Sequence, residues 1–422
     1  MQKKSTLLVS SLISLAFITA CGTGGGGSPT STFSTPIPAV SASDFNKNAN
    51  ISAVTNPENK STEPLTKELR PNPLQQFNSY QKILRAIDLR DFDYAYKEYE
   101  AGGLKLAAIK GENEFGDYAL NYSIVSLIQN IGQIGVSDRN LNNIDPKERV
   151  NVLKAILKHV FIYSVRGTLN RLVENDKTGI SKDDKYGLDF AKDASTYFYG
   201  TDNATVSDNS IAKMAQGIDN DSKLKIKLFD TISSGLSKAQ ANAKDNSKDL
   251  IDAKNQVEKG LIKMLYILTL QNLSNAAISK DYYDLVNTEF SYMGIRKSAQ
   301  SSDNIITTKV ESFLGNKRFE LLNYPDFQKN INLGFQEKAL DEMKTAISLI
   351  DKDSNSAQNK AIAAQMYLDI TNCAYENSKF IRNPDLNLVN NTQSFINAIQ
   401  LKNKTSANSF LSKVSDYIYL GK

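Results

Sequence analysis

The chain has 422 residues with 50 basic and 46 acidic side chains, a formal net charge of +4 at pH 7, one histidine, two cysteines and no tryptophan. Near-neutral charge argues against a nucleic-acid footprint, which calls for a basic patch or a high-pI domain. One histidine and two cysteines cannot furnish the three or four nitrogen and sulfur ligands of an ordinary zinc centre.

Lys3 and Lys4 precede an uncharged run, Thr6 to Ala20, rich in Leu, Ile, Val, Ala and Phe. That is the layout of a signal peptide, too short for a spanning helix of about 20 apolar residues. The run ends in Ile18-Thr19-Ala20-Cys21, which resembles the lipobox of bacterial lipoproteins. The resemblance implies diacylglycerol on the Cys21 sulfur, cleavage before Cys21 and acylation of the new amino terminus, hence a stable membrane anchor. Gly22, rather than Asp, in the next position favours the outer membrane in a two-membrane cell, leaving open which side of it the body faces. The alternative is an ordinary secretory signal with a chance cysteine at its end.

Residues 21 to 70 are rich in Gly, Ser, Thr, Pro and Asn with no sustained apolar period. Such a segment buries too little apolar surface to offset its ordering entropy, so it reads as a tether with a root-mean-square span of about 35 to 42 Å. Residues 71 to 422 then form the body, one large domain or two subdomains. With Cys21 lipidated, Cys373 has no partner within the chain, so no disulfide staples the body.

Asn, Asp, Gly and Ser clusters punctuate the body, and helical patterns fall at Gln75 to Leu89, Phe92 to Ala101 and Tyr118 to Ile134. The clearest helix runs from Asp145 as N-cap, with Pro146 at its first position and Glu148 at its third, through Val173. Its apolar residues, from Leu153 to Val173, recur at three- and four-residue steps as one stripe. Further patterns cover Leu188 to Tyr199, Leu224 to Gln240, Ser247 to Ile278, Lys280 to Tyr292, Gln336 to Ile350 and Ser356 to Tyr375. LIKMLYILTL, at the centre of the Ser247 helix, is apolar nearly all round and should be buried on several sides. No alternating run with hairpin turns competes, so the body is expected to be all-α, an irregular multi-helix bundle behind a signal peptide and a disordered tether.

No nucleophile elbow or phosphate-cradling loop occurs, and the one G-x-G-x-x-G, Gly22 to Gly27, lies in the tether beside Cys21. An enzyme is therefore the least favoured class. Three stretches, Ala95 to Gly103, Lys192 to Gly200 and Asn287 to Gly294, look alike, each expected to end a helix with acid, aromatics and glycine. Glycine stops helices and aromatics fill cores; the sharper reading aims carboxylates and phenols at one interior point.

DFDYAYKEYEAGGLKLAA, LDFAKDASTYFYGTDN and the QVEKGLIKMLYILTL helix followed by NTEFSYMGI resemble the low-iron-inducible periplasmic protein family of algal iron assimilation, with its bacterial lipoprotein relatives. The resemblance implies an all-helical, extracytoplasmic protein that captures or delivers iron with an uptake partner. Iron accepts carboxylate, phenolate and imidazole ligands, and acids on separate helices can build such a site. The candidates are Glu98 and Glu100, Asp193 with Tyr197 one turn on, Glu258 and Glu289, with His159 as a further donor. On a helical wheel His159 lies at the edge of the buried face, which suits a partly exposed or hydrogen-bonded side chain, and Glu258 fits the solvent side of its helix. A second class of function is a helical module binding a protein or peptide: DFDYAYKEYEAGG and KALDEMKTAISLID resemble tetratricopeptide hairpins, without their regular repeat length.

The lipobox reading predicts that Cys21→Ser yields an uncleaved protein without acyl label. Metabolic labelling with palmitate checks it, and label retained on the variant would refute the assignment.

Overall fold

A computed structural model of the chain describes residues 71–117, 120–129, 133–134, 137–140, 146–177, 184–221, 226–244, 248–280, 282–300, 309–311, 314, 323–371 and 386–420. The leader, Cys21, the tether, Asp145 and Cys373 lie outside the described residues.

The body is all-α. In chain order the helices are α1 (Pro73–Asp88), α2 (Phe92–Ala101), α3 (Leu104–Phe115), α4 (Leu120–Gln129), α5 (Pro146–Lys177), α6 (Asp184–Tyr199), α7 (Ile211–Asp219), α8 (Leu228–Ala241), α9 (Lys248–Ser279), α10 (Tyr282–Arg296), α11 (Tyr324–Leu349), α12 (Ser354–Thr371), α13 (Leu386–Gln400) and α14 (Lys404–Leu420). A 3₁₀ turn, Lys297–Ala299, follows α10. Gln133–Ile134 and Ser137–Asn140 pair antiparallel between α4 and α5. The sequence pattern extends the α4 helix to Ile134, but a rung this short carries no readable alternation.

Local chemistry sets the helix ends. Asn72 caps α1 by accepting the Gln75 N–H (3.1 Å), with Pro73 at the first helical position, where its missing donor costs nothing. Asp91 caps α2 through the Tyr94 N–H (3.1 Å). The α1–α2 corner recurs far along the chain. Ala86-Ile87-Asp88-Leu89-Arg90-Asp91 and Ala398-Ile399-Gln400-Leu401-Lys402-Asn403 make the same ladder, in which Asp91 N–H donates to the Ala86 carbonyl (2.9 Å) and Asn403 N–H to that of Ala398 (2.8 Å). Arg90 and Lys402 both take left-handed backbone, at φ 60° and 53°, and Asn403 caps α14 at the Ser406 N–H (2.9 Å) as Asp91 caps α2.

Apolar side chains gather in two clusters. The larger joins α1 to α10 with the first part of α11 and the end of α12; the smaller fills the space between the rest of α11, α12, α13 and α14. Helix α5 is central to the larger. Leu153, Ile156, Leu157, Val160, Phe161, Ile162, Tyr163 and Val165 are all buried, on more than one stripe. Helix α9 is equally enclosed: Leu261, Ile262, Met264, Leu265, Tyr266 and Ile267 are buried, as LIKMLYILTL suggests. It approaches α8 closely because a Cβ on Gly260 would stand 2.4 Å from Ile232 Cγ1.

Gly102 and Gly200 follow helix ends, as two of the three look-alike stretches imply. Gly294 does not: it lies inside α10, where a Cβ would stand 2.7 Å from Leu265 Cδ1. There glycine permits contact between helices rather than ending one.

Candidate functional site

The α1 start, the α2–α3 corner, α3, α5 and α6 enclose a cleft of about 450 Å³. Gln76 ties three of its walls. Its amide donates to the Gly103 carbonyl (3.0 Å), and its carbonyl accepts the Tyr197 hydroxyl (2.8 Å). The corner itself depends on glycine. Gly103 has φ 77°, and a Cβ on Gly102 would stand 2.4 Å from Ser79 Oγ. The floor is set by two more close approaches, since a Cβ on Gly111 would strike the Tyr163 ring at 2.6 Å and one on Gly167 would come within 2.8 Å of Glu114 Oε2.

Lys110, Arg171 and Glu114 supply the charge of this cleft. The enclosing walls first, and then Arg171, hold the Lys110 amine below the usual lysine range, with Glu114 opposing. Glu114 accepts the Asn170 amide (2.7 Å). A second, more open hollow of about 690 Å³ adjoins the first, sharing Asn72, Gln75, Ala101 and Gly102 with it and adding Asn78, Lys82 and Glu98.

Deeper in the body lies a polar cluster that no motif signals. Tyr163 donates to Asp117 Oδ2 (2.7 Å), and both side chains are buried. Glu112 accepts the Asn121 N–H (2.6 Å) at the start of α4. Burial, with Asp117 beside it, pushes the Glu112 carboxyl up to about 7. Burial also lowers His159 to about 4, and its Nδ1 has no hydrogen-bond partner among the described residues. Arg166 donates to Glu258 (3.0 Å) and to the Gly294 carbonyl (3.4 Å), with its guanidinium 4.1 Å from the Phe115 ring centroid.

The sequence candidates are dispersed through this framework. Glu98 accepts Ser79 Oγ (2.7 Å) and Lys82 Nζ (3.3 Å) at the second hollow. Glu100 is exposed and accepts Lys105 (2.6 Å) and Tyr96 (2.9 Å). Tyr197 lines the first cleft, Asp193 is buried one turn before it on α6, and Glu289 is buried in α10. Two expectations need correcting. His159 is buried rather than partly exposed, because α5 meets neighbours on several sides and its apolar stripe marks only one of them. Glu258 does not face open solvent: burial would raise its carboxyl, but Lys254 and Arg166 hold it at about 2. Glu98 and Tyr197 come to one flank of α1; no three His, Cys, Asp or Glu among the described residues group so as to hold a metal ion.

No protein-family model, curated protein or solved structure matches this chain. Among the described residues no helix is long and apolar enough to cross a membrane.

Glu112 and His159 make stability depend on pH in opposite senses. As pH rises from 4.5 to about 7 the unfolded chain loses the Glu112 proton before the native one does, so this group lowers stability across that window. As pH falls from 6.5 to about 4 the unfolded chain gains the His159 proton first, so that group also lowers stability, now toward acid. Denaturant midpoints measured from pH 4 to 8 should show Glu112→Gln losing the decline toward neutral pH and His159→Phe losing the decline toward acid. Profiles parallel to wild type for both variants would contradict the two assignments.

Proposed function

We propose that the chain is a cell-envelope lipoprotein, with leader 1–20, lipid on Cys21 and tether 21–70, whose helical body binds a polypeptide segment of a partner without catalysis. The observation that carries this reading is the groove made by the two adjoining cavities along α1, whose lining mixes apolar surface with amide and charged groups. Its edge presents the amides of Asn72, Gln75 and Asn78, groups that can pair with both the donors and the acceptors of a peptide backbone. Gln75 and Asn78 are exposed, and salt-linked Lys82 and Glu98 close one end.

Iron binding fits less well. Glu98, Glu100 and Glu258 already serve lysine, arginine or hydroxyl donors, Tyr197 is bonded to Gln76, and ligation would have to break those bonds across separate helices.

Photo-crosslinking in cells that make the protein tests the groove. A benzophenone side chain at Gln75 or Leu106 should give discrete protein adducts, and one at exposed Lys413 on α14 should give none. Adducts absent from the groove positions, or equal at all three, would contradict the proposal.

A further inference from the structure

We infer that the inner end of the groove is a carboxylate-binding subsite, formed by Lys110 of α3 and Arg171 of α5. This deepens the polypeptide-binding reading and rests on it for the source of the carboxylate.

The two side chains line one cleft from different helices. Among the described residues neither has an ion-pair partner, in contrast to Lys82 with Glu98, Lys105 with Glu100 and Arg166 with Glu258. Two like charges held together raise each other's energy, Glu114 in the same cleft offsets part of this, and an anion between them relieves the rest. The guanidinium of Arg171 donates to Thr168 Oγ1 (3.2 Å), which orients it within its own helix and, among the described residues, leaves further N–H donors available.

The charge of the cleft selects the kind of anion. Glu114 is its one acid among the lining residues, held in place by Asn170 and by the absence of a Cβ on Gly167. Two cations and one carboxylate leave a single positive charge, which one monoanion neutralises and a phosphate dianion would overshoot beside Glu114. A planar carboxylate also matches the guanidinium fork. Leu106, 72% exposed, stands on the same rim, one turn before Lys110, and offers apolar contact to whatever carries the carboxylate. The carboxylate has two sources, the C-terminus of a polypeptide or a small organic acid.

Titration calorimetry on the full chain in detergent tests the subsite with four probes: acetyl-trialanine with a free carboxylate, the same peptide as its amide, propionate and inorganic phosphate. The free-acid peptide should bind at least about tenfold more tightly than the amide, in keeping with a charge-assisted hydrogen bond, and phosphate should not compete. Lys110→Met and Arg171→Met should each remove that preference while circular dichroism stays unchanged. Propionate binding as tightly as the free-acid peptide would keep the subsite and assign it to small acids. Equal binding of acid and amide, binding of neither, or a preference that survives both substitutions would overturn it. Groove crosslinks without any carboxylate preference would remove the subsite and leave the polypeptide reading standing; carboxylate preference without crosslinks would do the reverse.

Discussion

Arg166 is the residue on which the packing of this body turns. Its guanidinium is nearly buried, and moving a cation out of water costs several kcal/mol unless partners replace the hydration. The partners come from separate helices: the Glu258 carboxylate from α9, the Gly294 carbonyl from α10 and the Phe115 ring from α3. All of them must arrive together for the charge to be tolerated. The junction therefore fixes where α3, α9 and α10 sit along α5, and Lys254 adds a second cation to Glu258 (3.2 Å).

The groove follows from that placement. With Phe115 stacked on Tyr163 and leaning on Arg166, α3 lies against α5 at a separation that requires glycine at Gly111, while Gly167 leaves room for the end of the Glu114 side chain. Lys110 and Glu114 are then carried to the same hollow as Arg171. Gln76 holds the opposite wall by spanning the α2–α3 corner and Tyr197. A buried charge in the core and an exposed hollow at the surface are thus two ends of one arrangement of α3 on α5.

Much of the architecture was legible in the sequence. Phe92–Ala101 falls at its expected bounds, and Ser247 to Ile278 anticipates Lys248–Ser279, because caps and a sustained apolar pattern mark them. Helices α3, α7, α13 and α14 were not anticipated. Helix α3 carries Gly111 inside it and an exposed Leu106, which blur its apolar face, and α13 and α14 are rich in Asn, Ser and Thr, which favour turns and caps as readily as helix interiors. His159 and Glu258 were misjudged for a common reason. A helical wheel records the strongest stripe, whereas α5 and α9 are each enclosed by several neighbours. The groove was read only at its margins, through Tyr197 and Glu98. Lys110, Arg171 and Gln76 belong to no motif, and their meeting depends on glycines that look, in sequence, like ordinary helix breakers.

A double-mutant cycle across α5 and α9 tests most directly whether the Arg166–Glu258 junction organises the body. Unfolding free energies of the wild type, Arg166→Met, Glu258→Gln and the double variant supply it. If the junction is the constraint described, Glu258→Gln costs about 3 to 5 kcal/mol by leaving the buried Arg166 charge unmatched, Arg166→Met costs less because Lys254 still pairs with Glu258, and the double variant loses much less than the two losses added together. Single losses below about 1 kcal/mol that simply add, as for a solvent-screened surface pair, would contradict it.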